Sequence, residues 1–351
     1  MRLFSKKLVA VSLAISSLAA LAAAQVANAA PTLNGSGATF PAPVYTKWAS
    51  DYRGLTNITI NYQGTGSSAG IDAIKKGVVD FGGTDAPLSQ SELNAANLVQ
   101  FPTVIGGVVP VYNVNGLSKN LILDGDTLGN IYLGKIVKWN DAAIARLNPG
   151  VSLPDTEIRT VRRSDGSGTT FMFTDYLSRV NGGWRSIGAN KSPNWNGLTL
   201  GGKGNDGVAA LVKQLPNSIG YVEYAYAKKN GLKMASLVNR DGKVVSPNAG
   251  AFAAAASKAN WSSDPSMGIS LNNQSGANTW PITGATYVLM PKRSNNGNNT
   301  VEVLRFFEWA MVKGQSQASN LDYIPLPVSV YQRVKATVWK SMTDTSGKSI
   351  I

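Results

Sequence analysis

The sequence predicts an α/β fold built on mostly parallel sheets. Strand-like and helix-like segments alternate in the N-terminal part of the chain with minimal turns between them, which is typical of parallel α/β proteins. Several turns made of glycine and serine lead directly into a helix. The 351 residues suffice for two domains with separate cores.

The N-terminal segments define this alternation. After a glycine-rich turn over 35–41, Pro41 suits the first turn of a helix, which Val44, Trp48 and Tyr52 continue at helical spacing. The next segments are a strand over 58–62, a turn over 63–68, a helix over 69–76 and a strand over 78–83. This succession favours a parallel sheet.

The remaining elements continue the α/β pattern. Residues 104–112 are apolar, and their glycine and proline content favours a strand or crossover over a helix. Residues 201–207 predict a glycine-rich turn, and residues 238–245 a hairpin with an Asp-Gly turn. The other predicted strands cover 156–161, 219–222 and 285–290, and the other predicted helices cover 127–133, 141–147, 169–177, 208–215, 251–259, 301–312 and 328–340.

The start of the chain has the pattern of a secretory signal peptide. Basic residues come first, an apolar and small-residue run covers 8–21, and an Ala-x-Ala cleavage motif follows at 27–29. We therefore expect a signal peptide over 1–29 and a mature chain that starts at Ala30. No later run reaches the apolar length of a membrane span.

The composition excludes several classes of enzyme. The chain has no cysteine and no histidine, which excludes disulfides, thiol catalysis, Ser-His-Asp catalysis and ordinary zinc sites. Its formal net charge of +13 would suit nucleic acid, an anionic surface polymer or a small anion. The lysines and arginines are dispersed, so we expect no nucleic-acid partner. We also expect neither a metal nor a cofactor.

The stretch 161–171 carries the strongest functional signal. Its glycines and serines lead into a predicted helix, whose first backbone N–H groups and dipole favour an anion. Arg163 adds a guanidinium suited to a tetrahedral oxyanion, and Ser167 and Thr169 add hydroxyl donors. Asp165 either holds Arg163 in place or accepts a proton from a protonated anion. A simpler interpretation is a capped helix after a polar turn, with a solvated Arg163–Asp165 ion pair.

A second motif imitates a dinucleotide-binding site. Residues 64–69 fit the Gly-x-Gly-x-x-Ala pattern between a strand and a helix, and Asp85 follows about twenty residues later. An exported protein meets little free nicotinamide cofactor, however, and Asp85 lies in a turn beyond the short strand. Residues 166–169 likewise lack the lysine of a Walker loop. We therefore expect no nucleotide at either stretch.

Four motifs together resemble one family across essentially the whole mature chain. They are Gly-Ser-Gly-Ala-Thr-Phe-Pro-Ala-Pro at 35–43, Asn-Tyr-Gln-Gly-Thr-Gly-Ser-Ser at 61–68, Asp-Phe-Gly-Gly-Thr-Asp-Ala-Pro at 80–87 and Arg-Arg-Ser-Asp-Gly-Ser-Gly-Thr at 162–169. Residues 201–207 and 219–225 fit as well. The sequence resembles the periplasmic phosphate-binding proteins of bacterial high-affinity phosphate ABC importers.

The resemblance implies a two-lobed periplasmic binding protein of type II. Each lobe would be a mostly parallel sheet flanked by helices, with inorganic phosphate in the cleft between the lobes. The chain would be a monomeric receptor and not an enzyme, delivering phosphate in the periplasm to a membrane permease driven by a cytoplasmic ATPase. We expect crossings between the lobes near 113–116 and 283–287, so that lobe one comprises 30–114 and 285–351 and lobe two comprises 115–284.

The resemblance also implies a set of ligand contacts. These are Thr39 and Phe40 through their backbone N–H groups and the Thr39 hydroxyl, and the residues Ser67, Asp85, Arg163, Asp165, Ser167, Gly168 and Thr169. Phosphate near neutral pH carries at least one proton, from which Asp85 would accept a hydrogen bond. Sulfate carries none, so a buried Asp85 facing sulfate would be an unpaired charge against an anion.

Three alternatives remain open. The chain could bind another oxyanion, such as sulfate or molybdate. It could be an exported phosphatase or hydrolase with Ser167 as the nucleophile, although the missing histidine and the missing metal cluster count against this. A surface or adhesion role is neither supported nor excluded by the sequence.

Overall fold

The structure of the protein is a computed structural model that describes residues 31–117, 119–195 and 199–351. The predicted signal peptide at 1–29 and the predicted first mature residue, Ala30, lie outside the described residues. Within these ranges, no helix is both long and apolar enough to cross a membrane.

The N-terminal part alternates strands and helices, as the sequence predicts. Its elements are β1 (Thr32–Gly37), α1 (Ala42–Thr56), β2 (Thr59–Gly64), α2 (Ser67–Lys75), β3 (Phe81–Thr84) and α3 (Gln90–Ala95). The sequence pattern missed β1, because its glycine and serine residues are poor strand formers and imitate a turn. It also missed α3, a short helix that begins with a capping box formed by Ser89 and Glu92.

The middle of the chain contains the second group of strands. Its elements are β4 (Leu98–Asn113), β5 (Ile122–Leu123), α4 (Gly125–Tyr132), α5 (Ala142–Leu147), β6 (Arg159–Arg163), α6 (Gly168–Val180), β7 (Thr199–Gly202), α7 (Gly204–Gln214), β8 (Ser218–Glu223) and α8 (Tyr224–Asn230). β7 includes two residues that the sequence predicted as a turn, because glycines at 201 and 202 imitate one. The helix predicted from 208 begins at Gly204.

The C-terminal part closes the chain with short strands and helices. Its elements are β9 (Lys233–Met234), β10 (Ser236–Val238), β11 (Val244–Val245), α9 (Ala249–Ala256), β12 (Thr283–Pro291), β13 (Arg293–Ser294), α10 (Gly297–Val312), α11 (Gln315–Asn320), β14 (Ile324–Pro325), α12 (Val328–Arg333) and β15 (Thr343–Asp344). The helix predicted over 328–340 is α-helical only to Arg333 and continues as a π-helix over 334–338. Val334, Thr337 and Val338 lie in this segment, and β-branched residues are poor α-helix formers.

The long strand β4 joins two groups of parallel strands. β1 is parallel to both its neighbours, β2 and β3, and β6 is parallel to both its neighbours, β7 and β8. β4 pairs antiparallel with β12 up to Gly107 and with β8 from Val108 onward. The strand order is β2-β1-β3-β12-β4-β8-β6-β7, so the groups form two lobes that meet along β4.

The C-terminal helix α10 packs against the N-terminal elements. Its Phe307 is fully buried, and the ring lies edge-on to Tyr45 and Phe81, with centroids 5.5 and 5.2 Å away. Trp48 of α1 donates a hydrogen bond from Nε1 to the carbonyl oxygen of Gly314 at 2.7 Å. Segments from the two ends of the chain therefore share one core.

We expect Phe307→Ala to lower the free energy of unfolding by about 3–5 kcal/mol, because it removes a buried ring and leaves a cavity. Urea unfolding of both proteins measures the difference. Leu55→Ala is the control, since Leu55 is 68% exposed, and it should change the free energy by less than about 0.5 kcal/mol. A Phe307→Ala protein as stable as the parent would contradict the shared core.

Candidate anion-binding site

The predicted site residues come together where the carboxyl ends of the two strand groups meet. β1, β2 and β3 end shortly before Thr39, Ser67 and Asp85, respectively. On the other lobe, β6 ends at Arg163 and α6 begins at Gly168. Open α/β sheets bind ligands at this edge, in the crevice outside the carboxyl ends of their strands.

Hydrogen bonds connect the two lobes at this edge. The Ser67 hydroxyl accepts one from the N–H of Gly168 at 3.0 Å, and the N–H of Ser68 donates to the carbonyl of Gly166 at 3.0 Å. A side chain at Gly168 would bring its Cβ within 2.5 Å of the Cβ of Asp85, so this close approach requires glycine. The lobes therefore touch directly at the predicted site residues.

Arg163 is held in a buried, bidentate ion pair. Its side chain is 1% exposed, and Nε and Nη2 donate to the two carboxylate oxygens of Asp165 at 2.8 and 2.5 Å. Nη1 donates to the Thr169 hydroxyl at 3.3 Å. The pair is thus buried, whereas the simpler interpretation assumed a solvated pair. Of the two roles considered for Asp165, the geometry supports that of holding Arg163 in place.

The charge of Asp165 follows from its surroundings. Burial acts to raise its pKa, but the hydrogen bonds and charge of Arg163, with the N–H of Gly204 at 3.0 Å, hold the pKa of Asp165 below its usual value. Both partners are therefore charged, and the pair is neutral as a whole. An anion placed here would be held by directed hydrogen bonds more than by net charge.

Asp85 is a buried carboxyl group on the other lobe, 2% exposed. Its Oδ1 accepts a hydrogen bond from the Thr286 hydroxyl at 2.8 Å, and its N–H donates to the Ser67 hydroxyl at 3.3 Å. Burial raises the pKa of Asp85 to about 7, although the Thr286 hydrogen bond and the charge of Arg163 oppose the rise. Asp85 can therefore take up or release a proton near neutral pH.

Two buried tyrosines hold the loop that contains Thr39 and Phe40. The Tyr226 hydroxyl donates to the Thr39 carbonyl at 2.5 Å, and the Tyr323 hydroxyl donates to the Phe40 carbonyl at 2.6 Å. Because a trans peptide points its N–H opposite to its C=O, the Tyr226 bond also fixes the direction of the Phe40 N–H. The Phe40 ring packs against Tyr323 with centroids 6.2 Å apart, so its side chain serves the core.

Ser167 caps the helix that follows the ion pair. Its hydroxyl oxygen accepts a hydrogen bond from the N–H of Thr170 at 3.0 Å, which satisfies one of the free donors at the start of α6. The hydroxyl proton of Ser167 can still donate to a ligand. The predicted donor is therefore also the helix cap of the simpler interpretation.

Some residues at this edge were missed by the sequence prediction. Asn205 is fully buried, and its Nδ2 donates to the hydroxyls of Thr39 and Thr169 at 2.8 and 3.2 Å. It lies in the first turn of α7, the helix after β7, so the repeated small-residue turns before helices were a signal for it. Tyr226 directly follows the segment 219–225, but nothing in that segment marks its hydroxyl as a support for Thr39. Thr286 and Tyr323 had no such signal either, because they lie far from the motifs in sequence.

The sequence matches the family model described as PBP superfamily domain over residues 22–311. It is 47% identical over 324 residues to the phosphate-binding protein PstS of Pasteurella multocida, covering 92% of this chain and 94% of that protein. It is 48% identical over 315 residues to the phosphate-binding protein PstS of Haemophilus influenzae, covering 89% and 93%. The chain belongs to the PstS family of phosphate-binding proteins.

The fold agrees with membership of the PstS family. The chain is similar to the structure of a high affinity periplasmic phosphate-binding protein (PfluDING) bound with phosphate, with a TM-score of 0.71, 21% identity and coverage of 91% of this chain and 96% of that one. At this identity the likeness concerns the fold, and it confirms the predicted two-lobed α/β architecture. The PstS relatives confirm the family resemblance carried by the four sequence motifs.

We expect Asp85 to make the stability of the phosphate-free protein depend on pH. Its folded pKa of about 7 lies above the usual 3.8, so between these values the folded state keeps a proton that the unfolded chain has lost. The free energy of unfolding therefore falls as the pH rises through this window. Asn at position 85 does not ionise, so Asp85→Asn should not lose stability as the pH rises. At about pH 8 this variant should be up to about 4 kcal/mol more stable than the parent.

Urea unfolding of both proteins at about pH 4 and about pH 8, without phosphate, measures this dependence. Asp51→Asn is the control, because Asp51 forms a surface ion pair with Lys47 away from the site. At about pH 4 the free energy of unfolding of Asp85→Asn should not exceed that of the parent. The same difference between variant and parent at both pH values would contradict the raised pKa.

Proposed function

We propose that the chain is a periplasmic receptor that binds inorganic phosphate between its two lobes and delivers it to the permease of an ABC importer. The main structural support is that a buried acceptor, Asp85, and a buried donor, Arg163, lie at the edge where the lobes meet. The PstS relatives support the ligand, since they are named phosphate-binding proteins. The proposed contacts are Thr39, Phe40, Ser67, Asp85, Arg163, Asp165, Ser167, Gly168 and Thr169.

The chemistry of these contacts favours an oxyanion that carries a proton. The guanidinium and the hydroxyls can donate to unprotonated oxygens. The carboxylate of Asp165 is already bonded to Arg163 and Gly204, whereas Asp85 keeps capacity to accept. Phosphate near neutral pH can donate to Asp85, but sulfate would place an unprotonated oxygen against it.

We propose lobe boundaries that follow the predicted crossings, with 30–114 and 285–351 in lobe one and 115–284 in lobe two. The packing of α10 against Tyr45 and Phe81 supports the assignment of the C-terminal helices to lobe one. The change of partner within β4, after Gly107, supports a crossing through this strand a few residues before the proposed boundary.

We also propose that the chain is exported, cleaved after Ala29, and works in the periplasm as a monomer beside a permease with its cytoplasmic ATPase. The signal-peptide pattern over 1–29 supports export. The structurally similar PfluDING is itself described as periplasmic.

A hydrolase with Ser167 as nucleophile has less support. A serine nucleophile needs an adjacent base, but the chain has no histidine. In the described part of the chain, the Ser167 hydroxyl oxygen bonds to the N–H of Thr170, which is a capping contact and not an activating one. The PstS relatives are named for binding and not for hydrolysis.

We expect calorimetric titration of the parent protein to show phosphate binding, weaker arsenate binding and still weaker sulfate binding. Arg163→Ala should weaken phosphate binding at least about tenfold, because it removes a charge-assisted pair of donors and leaves Asp165 unpaired. Asp165→Asn should weaken it less, since Arg163 keeps its charge and loses only its support.

The matched control is Arg179→Ala, which breaks an ion pair with Asp175 on the surface of α6, the helix that follows Arg163. The Arg179 side chain is 44% exposed. This variant should bind phosphate like the parent. Sulfate binding as tight as phosphate binding would contradict the proposed ligand, and a tight-binding Arg163→Ala would contradict the site. Repeated turnover of an aryl phosphate would favour the hydrolase.

Asp85→Asn should lower the ratio of the sulfate dissociation constant to the phosphate dissociation constant. The amide keeps the size of the carboxyl group but can turn an N–H toward an unprotonated oxyanion. The ratio is best measured at about pH 8, where Asp85 with its pKa of about 7 is ionised. In the parent, the ratio should also narrow as the pH falls below about 7, because protonated Asp85 can donate.

The control for this measurement is Asp51→Asn, which leaves the site intact and should keep the parent ratio. An unchanged ratio in a folded Asp85→Asn protein would remove Asp85 from the mechanism of selectivity.

A further inference from the structure

Three hydroxyl groups at the site each accept two hydrogen bonds from N–H donors. Thr39 Oγ1 accepts from the backbone N–H and from Nδ2 of Asn205, at 3.2 and 2.8 Å. Thr169 Oγ1 accepts from Nδ2 of Asn205 and from Nη1 of Arg163, at 3.2 and 3.3 Å. Ser67 Oγ accepts from the N–H groups of Gly168 and Asp85, at 3.0 and 3.3 Å.

This pattern fixes what each hydroxyl can do next. A hydroxyl oxygen has two lone pairs and one proton. Two N–H donors occupy both lone pairs, so the only remaining capacity of Thr39, Thr169 and Ser67 is to donate the O–H. The partner that these protons require is an acceptor, such as an unprotonated oxygen of an oxyanion.

Asn205 is the residue common to both threonines, and its orientation is defined. Its Oδ1 accepts from the backbone N–H of Glu223 at 3.0 Å. A backbone N–H can only donate, so this bond places the oxygen of the amide toward Glu223 and the NH₂ toward the threonines. The side chain is fully buried, so water does not compete for the amide.

Asn205 also joins the two lobes at this point. Thr39 follows β1 on the first lobe, whereas Thr169 lies on α6 of the second lobe. One NH₂ group therefore sets the direction of a hydroxyl on each side of the site. The backbone N–H of the same residue gives Thr39 its second donor.

We propose that Asn205 is a positioning residue that forces the hydroxyls of Thr39 and Thr169 to act as donors to the bound oxyanion. This inference rests on the proposed function and deepens it. Asn205 acts through the threonines and does not need to touch phosphate. With Thr39, Thr169 and Ser67 all acting as donors, Asp85 remains to accept a hydrogen bond from the protonated oxygen of the ligand. The site therefore offers the ligand many hydrogen-bond donors and few acceptors.

The test is a double-mutant cycle of Asn205→Ala and Thr39→Val, with phosphate affinity measured by calorimetric titration. Asn205→Ala should weaken binding about tenfold in the parent, the usual effect of losing a hydrogen bond or two. In the Thr39→Val background the same change should weaken binding by a clearly smaller factor, about threefold, because only Thr169 remains to be oriented. A merely structural role would give the same factor in both backgrounds.

Asn181→Ala is the matched control. Asn181 is also a buried amide of lobe two, bonded to Asp126 and to the N–H of Gly183, but it contacts none of the proposed ligand residues. It should lower stability and leave phosphate affinity unchanged.

The outcomes separate this inference from the proposed function. A folded parent that does not bind phosphate would contradict the proposed function itself. If the parent binds phosphate and Asn205→Ala binds it equally tightly, only the role of Asn205 is contradicted. The same holds if Asn205→Ala weakens binding by the same factor in the parent and in the Thr39→Val background. Should Asn205→Ala not fold, Asn205→Asp has nearly the same shape and accepts from the hydroxyls instead of donating. It should lose at least about a hundredfold in affinity, and parent-like binding would overturn the inference.

Discussion

The buried ion pair of Arg163 and Asp165 fixes the arrangement on which the site depends. Arg163 ends β6 and Asp165 lies in the turn that follows, while the pair also bonds Thr169 in the first turn of α6 and Gly204 at the start of α7. A lone buried guanidinium or carboxylate would be strongly unfavourable, so each ion requires the other. The end of β6 is thereby tied to the starts of two helices at the edge where the lobes meet.

Asp85 is under the opposite constraint, because its close partners are neutral. The hydroxyls of Thr286 and Ser67 contact its carboxyl and its N–H. Burial raises its pKa to about 7, although the Thr286 hydrogen bond and the charge of Arg163 act to lower it. A group in this state is stabilised by a ligand that brings its own proton. The donors of both lobes and the acceptor Asp85 therefore become complementary to a protonated oxyanion only when Gly168 allows the lobes to approach.

The sequence predicted the parts of the site that depend on local patterns. The turn from Arg163 to Gly168 is a strand end, small residues and a helix start, and each of these signals lies within a few residues of the others. The family motifs added Ser67 and Asp85. Thr286 could not be predicted, because its role arises only from the antiparallel pairing of β12 with β3. The same limit explains why the sequence pattern missed β1, whose glycines are typical of a turn. Its backbone hydrogen bonds are formed by the parallel strands on both sides, which are distant in sequence.

The most direct test of this account is a crystal structure of the protein grown with phosphate. The account predicts one phosphate between the lobes, with one oxygen within about 3 Å of the Asp85 carboxyl and others at hydrogen-bond distance from Arg163 and from the hydroxyls of Thr39 and Thr169. The ion pair of Arg163 with Asp165 should be intact in that structure. A phosphate bound elsewhere, or one that leaves Asp85 without contact, would contradict the account.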